Sequence, residues 1–358
     1  MRDPVAVTAH LEKLKSSALE ILGLEEVIDR VDRSGAPRFL VEGLWPADAY
    51  GVLGAEDKAG KTWAALDLGV SVATGTPWFG RFTCPSPGPV TLFLGEGGER
   101  YFLRRLEAIS ASRALPIVDL IGSVRACFSV PRLRDRDQLA EVRAELEDHS
   151  PKLVVIDPLY LAAAGAKGSD LYEMGDVLGG VQRLTQEAKA ALVVTTHWNK
   201  TGTGSGPERF TGVGPGAWGR VLASAAVERR GQDPDGSSVV LLRWDFRGSE
   251  IPDTVFRMRR RVRSDDPRSL TARLFYEVEV TSESEDVVSS EARIFAVLEA
   301  AGIDGLSVRE IGDALASDGR GKPLTVRTIQ RVLNDLAEAG RIDGEKGDRG
   351  RPGRWWLT

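Results

Sequence analysis

Residues 50–62 read YGVLGAEDKAGKT, and the helical pattern WAALDLGVSVATG follows at once. A short apolar run, a glycine-bearing loop and a helix start in this order leave few choices of fold. Such a turn converges backbone N–H groups and the positive end of the helix on one point, which suits a phosphate. The segment predicts a phosphate-binding loop made by Gly54, Ala55, Glu56, Asp57, Lys58, Ala59, Gly60, Lys61, Thr62 and Trp63. Lys61 would reach the β- and γ-phosphates of ATP, and the Thr62 hydroxyl would ligate Mg²⁺. The pattern GxxxxGK[ST] places its first glycine at position 55, where this chain has Ala55 preceded by Gly54. An alanine there costs backbone freedom and removes no chemistry. The competing reading is a coincidental Gly-Lys-Thr in a turn, and the flanking strand and helix patterns weigh against it.

Short apolar runs recur at Tyr50–Leu53, Val90–Leu94, Leu153–Ile156, Leu192–Thr195 and Val239–Leu242, with helical stretches at 61–75, 99–112, 136–149 and 170–189 between them. Strands alternating with helices imply an α/β fold, a mainly parallel sheet covered on both faces. Ligands of such sheets bind at the carboxyl ends of the strands, so the residues closing each run carry the chemistry. Asp157 closes KLVVID and is expected to hold the Mg²⁺. Glu96 follows the Val90–Leu94 run and is expected to act as general base on the attacking water. Its bland alternative is a surface acid at a helix start, a role assigned instead to Glu99. His197 ends ALVVTTH and reads either as a γ-phosphate sensor or as a polar strand end.

A net charge of −5 argues against nonspecific coating of nucleic acid by the whole surface and leaves room for local basic sites. Two cysteines far apart exclude a disulfide framework, and the three histidines lack metal-ligand spacing. No apolar run is long enough for a bilayer, and the charged N-terminus MRDPVAVTAHLEKLK lacks a signal-peptide core. The expectation is a cytoplasmic protein with no membrane partner. Residues 1–37 read as a helical arm, packed either on a neighbouring subunit or on the core. Residues 38–280 form the catalytic core, the polar stretch 281–290 a linker and 291–358 a second domain.

That second domain begins with a helix striped by Ile294, Val297, Leu298 and Ala301. Ser307 to Glu310 then form a capping box for a second helix. A third helix, in LTVRTIQRVLNDLAEAGRI, would bury Val326, Ile329, Val332, Leu333 and Leu336. Its other face presents Arg327, Thr328, Gln330 and Arg331, and a hairpin with Arg349, Arg351 and Arg354 follows. Three helices and a basic hairpin resemble a winged helix-turn-helix domain, with the third helix entering a major groove of duplex DNA and the hairpin holding phosphates. Winged helices also dock proteins.

The loop KAGKT, the segment TGTPWFGRF, the stretch GEGGERYFLRRLEAI, VVIDPL, and TTHWNK leading into a Gly-rich loop together resemble the RepA-like hexameric helicases, a branch of the RecA-like P-loop ATPases. The resemblance covers residues 38–262. It implies a homo-oligomeric ring, a hexamer, with ATP between subunits and an arginine donated by the neighbour. Arg247 is the first candidate, although Asp245 occupies the basic position expected two residues before it, and Arg220 is the second. It also implies loops lining a channel for single-stranded DNA, carrying Lys167 after the Asp157 strand and Lys200 and Arg209 after the His197 strand. The function expected is an ATP-hydrolysing DNA helicase or translocase of a replication system. An ATP-switched DNA-binding regulator and a recombination or repair ATPase on single strands are the alternatives.

Overall fold

The computed structural model describes residues 21–35, 38–168, 170–198, 214–269, 271–282, 290–302, 305–317, 324–338, 340–345 and 353–357. The chain divides into two compact units, residues 1–38 and 39–358. In the first, helix α1 (Leu24–Ser34) opens with Glu25 and Glu26, where acids favour the dipole, and stops at Gly35 with φ 72°.

The second unit begins with a small antiparallel pair, β1 (Phe39–Val41) and β2 (Trp45–Pro46). Strands and helices then alternate as β3 (Tyr50–Ala55), α2 (Lys61–Thr74), β4 (Val90–Leu94), α3 (Gly98–Ser112), β5 (Val124–Cys127) and α4 (Arg136–His149). They continue with β6 (Leu153–Asp157), α5 (Leu159–Ala162), α6 (Leu171–Glu187), β7 (Ala191–His197) and α7 (Gly214–Trp218). Four long strands follow: β8 (Val221–Gln232), β9 (Ser238–Gly248), β10 (Ile251–Ser264) and β11 (Leu274–Ser282). The nine-stranded sheet runs β11-β10-β9-β8-β3-β7-β6-β4-β5. From β8 to β5 every pairing is parallel, and from β8 to β11 every pairing is antiparallel.

Alternation along the parallel strands sends side chains to two cores. Leu53, Leu92, Val155 and Val193 join Leu66 and Leu68 of α2 and Leu106 and Ile109 of α3 on one face. Val52, Phe93, Val154, Ile156 and Val194 join α4 and α6 on the other, through Val142, Leu146, Val177, Leu178 and Val181. Burial on both faces explains why β6 reads as an unbroken apolar run.

The antiparallel half overhangs the site. β8 pairs with β3 only from Val221 to Ala225, opposite Gly51 to Ala55. Beyond Ala225 it runs past the carboxyl end of β3, carrying β9 and β10 with it. Arg230, Val240 and Arg260 lie directly opposite one another across these three strands and so share a face.

The last described residues form α8 (Ser290–Ala301), α9 (Val308–Ser317), α10 (Val326–Glu338) and the antiparallel pair β12 (Ile342–Glu345) and β13 (Arg354–Leu357). Ile294, Leu298, Ile311, Leu315, Ile329, Leu333 and Leu336 make their hydrophobic core. Ser307 and Glu310 close a reciprocal capping box at 2.7 and 3.3 Å. Val326 corrects the expected stripe: it is 68% exposed. It is the first residue of α10, beside Thr325, whose hydroxyl caps the Thr328 N–H at 3.2 Å, so the buried stripe starts at Ile329. The expected linker also shifts, since β11 extends through Ser282 and α8 starts at Ser290.

Candidate functional site

The loop between β3 and α2 turns through two left-handed residues, Lys58 at φ 58° and Gly60 at φ 93°. Gly54 and Ala55, expected in the loop, are buried residues of β3, where Ala55 lies between His197 of β7 and Ala225 of β8. Extended backbone there requires no glycine, which is why alanine at the pattern's first position is harmless. Gly60 is the loop glycine that the backbone requires, and α2 begins at Lys61.

Because β7 lies between β3 and β6 in the sheet, the loop, His197 and Asp157 emerge side by side. They open into a cleft of about 510 Å³ whose walls include Lys61, Thr62, Glu96, Asp157 and His197. Asp57, Lys58, Gly60 and Trp63 complete the loop side. The Lys61 ammonium is buried, 3.1 Å from His197 Nδ1 and 3.5 Å from the Glu56 carbonyl. Burial lowers its pKa, opposed by the nearby carboxylates of Asp157, Asp57 and Glu96. His197 Nδ1 is also 2.6 Å from Asp57 Oδ1. Asp157 is 5% exposed and accepts a hydrogen bond from the Thr195 hydroxyl. Glu96 is exposed, and the Tyr160 hydroxyl of α5 donates to its Oε1 at 2.7 Å, which raises the tyrosine pKa.

The chemistry of this lining fits a nucleotide with Mg²⁺. The Thr62 hydroxyl and the Asp157 carboxylate are hard oxygen donors in one cleft, and an ion that prefers phosphate and water for its other ligands needs few protein groups. Among the described residues no cluster of three or more His, Cys, Asp or Glu is placed to hold a metal alone.

Several supporting groups escaped the sequence reading. Arg230 donates to the carbonyls of Lys58 at 2.9 Å and Asp57 at 2.8 Å, and Arg260 donates to that of Ala59 at 2.9 Å. The indole of Trp63 stacks on Tyr276 of β11, with centroids 4.9 Å apart and planes at 2°. The Arg105 guanidinium lies 5.7 Å from the Trp63 ring centroid, and burial lowers its pKa. Behind the loop, Asp67 of α2 pairs with Arg113 at 2.5 Å and accepts the Phe79 N–H at 3.1 Å, which anchors α2 to the end of α3. Alternation in β10 was the available signal for Arg260; the others are separated from their partners by too much chain.

The remaining candidates fall elsewhere. Arg247 makes a two-point ion pair with Asp245 of its own chain, at 3.1 and 3.0 Å, and Arg220 pairs with Glu250. Lys167 is exposed in the turn after α5. Arg327 and Arg331 are exposed in the first turns of α10, with Thr328 and Gln330 half-buried beside them. Arg354 donates to the Gly305 carbonyl at 2.9 Å, with Glu310 at 3.8 Å. Lys200, Arg209, Arg349 and Arg351 lie outside the described residues. No described helix is long and apolar enough to cross a membrane.

Comparison with protein families matches residues 16–203 to a family model described as an AAA domain, slightly over half of the 358 residues. The match ends before β8, so the ribbon carrying Arg230, Arg260 and Tyr276 lies beyond it. No curated protein matches the chain.

Proposed function

The chain belongs to the AAA-domain family, an ATPase family of the P-loop type, and on that premise we propose that it is an ATP-driven DNA helicase or translocase of a replication system, working as a ring with ATP between subunits. The observation that carries the reading is the meeting of Lys61, Thr62, Glu96, Asp157 and His197 in one cleft at the carboxyl ends of adjacent strands. Lys61 and the N–H groups at the start of α2 hold the phosphates. Mg²⁺, held at Thr62 and Asp157, supplies charge neutralisation of the transferring group. Glu96 accepts the proton of the attacking water, and Tyr160 orients its carboxylate. His197, 3.1 Å from the Lys61 ammonium, registers whether a γ-phosphate competes for that lysine.

Arg247 or Arg220 is the arginine given to the neighbour's γ-phosphate. Each would leave an own-chain acid to do so: Arg220 an exposed glutamate, a pair weak enough for that exchange, and Arg247 the buried Asp245, whose loss the nucleotide's charge would have to offset. The C-terminal helices and hairpin act as a winged helix on duplex DNA. Arg327, Thr328, Gln330 and Arg331 enter the groove, and Arg349, Arg351 and Arg354 hold phosphates. Lys167, Lys200 and Arg209 grip single-stranded DNA in the channel. The exposed arginines of α10 equally favour a second reading, a regulator in which ATP switches duplex binding.

ATP turnover measured with and without single-stranded DNA, followed by strand displacement on a forked duplex, separates the two. DNA-stimulated turnover with ATP-dependent displacement supports the motor. Slow turnover indifferent to DNA, with tight sequence-specific duplex binding by the full chain, sinks it in favour of the regulator.

A further inference from the structure

The run RMRRRVR at 257–263 lies in β10, and the pleat sends its residues to two faces. On one face each arginine meets an acid. Arg257 pairs with Glu228 at 2.9 Å, Arg259 with Asp233 at 2.7 Å, Arg261 with Asp235 at 3.0 Å, and Arg263 with Asp235 at 3.4 Å. On the other face Met258 and Val262 pack in the hydrophobic core, and Arg260 stands between them at 6% exposure. Among the described residues its only hydrogen bond is to the Ala59 carbonyl, its Nε has no partner and it forms no ion pair. The titratable groups nearest it are the Tyr276 phenol, which is neutral at physiological pH, and the cations Arg230 and Arg105.

A buried cation with no acid beside it is a costly arrangement, and burial usually persists only where a counter-charge arrives. The place of this one is specific. The guanidinium lies against the loop, so close that a Cβ on Gly60 would fall 1.6 Å from Arg260 Nη1. It lines the same cleft as Lys61, Thr62 and Trp63. We propose that Arg260 contacts the nucleotide, supplied by the same chain that supplies the loop, and that the polyphosphate is the counter-charge for its buried guanidinium. The proposal rests on the ATP reading of the cleft. It gives the antiparallel ribbon, which the family match does not reach, a direct part in binding. Arg220 and Arg247 differ from Arg260 in having own-chain acids.

The test uses the full chain with Mg·ATP and Mg·ADP, calorimetric titration, and thermal unfolding of the nucleotide-free protein. Arg260→Met removes the charge at similar volume, and Arg260→Lys keeps the charge. Arg260→Met should weaken both nucleotides roughly 10- to 100-fold, the worth of a charge-assisted contact. The nucleotide-free Arg260→Met protein should unfold close to the wild-type temperature, because removal of a buried unpaired charge offsets loss of the Ala59 bond. Arg260→Lys should recover most of the affinity. Arg260→Met affinities within about twofold of a wild type that binds well overturn the proposal alone. So does a lowered melting temperature with Arg260→Lys binding no better than Arg260→Met, which would make the arginine a strut for the loop. A wild type that binds neither nucleotide overturns the ATP reading, and this proposal with it.

Discussion

Replacing Gly60 by alanine isolates the loop geometry from its chemistry. Gly60 holds φ 93° and ψ 41°, a backbone conformation that costs a residue with a Cβ about 1–3 kcal/mol. The new methyl would also lie 1.6 Å from Arg260 Nη1, 2.5 Å from Cζ and 2.8 Å from Nη2, so the guanidinium must leave its place. Leaving breaks its 2.9 Å bond to the Ala59 carbonyl, a charge-assisted bond of about 1.5–3 kcal/mol. Together these terms give about 2.5–6 kcal/mol of destabilisation for Gly60→Ala. Equilibrium urea unfolding of Gly60→Ala, Arg260→Ala and the double variant separates them. With Arg260 already truncated the collision disappears and the backbone strain remains. The double variant should therefore be less destabilised than the sum of the singles by about 1.5–3 kcal/mol. Additivity within about 0.5 kcal/mol would show that the guanidinium does not press on the loop, and the reasoning would fail.

Three further outcomes follow from other parts of the structure. Asp67→Asn leaves Arg113 without its buried partner and should cost about 3–5 kcal/mol in thermal or urea unfolding; a loss under about 1 kcal/mol would contradict the anchoring role of the pair. In the capping box, the Ser307 backbone N–H holds the Glu310 carboxyl below its usual range. A carboxyl lowered on folding stabilises above its unfolded pKa and loses that contribution as pH falls through the folded value. Ser307→Ala removes the hydroxyl that accepts the Glu310 N–H and should cost about 1 kcal/mol. The stability gap between wild type and Glu310→Gln should narrow on acidification, and a gap that widens refutes the sign. For the neighbour's arginine, either Arg247→Ala or Arg220→Ala should lower kcat roughly 10³-fold or more with Mg·ATP affinity retained, and two silent variants would exclude both.

The parallel half of the sheet was legible because Leu153–Ile156 and Leu192–Thr195 are buried on both faces and read as plain apolar runs. The antiparallel half was legible only at Val239–Leu242. Its other strands carry their charges on the outer face, where Arg257 pairs with Glu228 of β8, Arg259 with Asp233 of the β8–β9 turn and Arg261 with Glu277 of β11, and these charges hide the alternation. β5, with alternating exposure over Val124–Cys127, is too short to stand out. In the site, Lys61, Thr62 and Asp157 were readable because each closes a pattern whose geometry is local. Tyr160 was not, since its link to Glu96 spans 64 residues. Asp245 was read as a missing cation, whereas it is the buried partner of Arg247 two residues away. Arg260 occupies an inward position between Met258 and Val262, yet its meaning depends on the overhang of β10 over the loop, a tertiary feature with no local signature.

The central claim, that this cleft hydrolyses ATP, is tested most directly by phosphate release from Mg·ATP by wild type, Lys61→Ala and Asp157→Asn, each checked for folding by thermal unfolding. The proposed function predicts steady release by wild type and its loss in both variants, because one removes the buried ammonium and the other the carboxylate proposed to hold Mg²⁺. Absence of release by folded wild type, with or without DNA, or equal release by the three proteins, would contradict it.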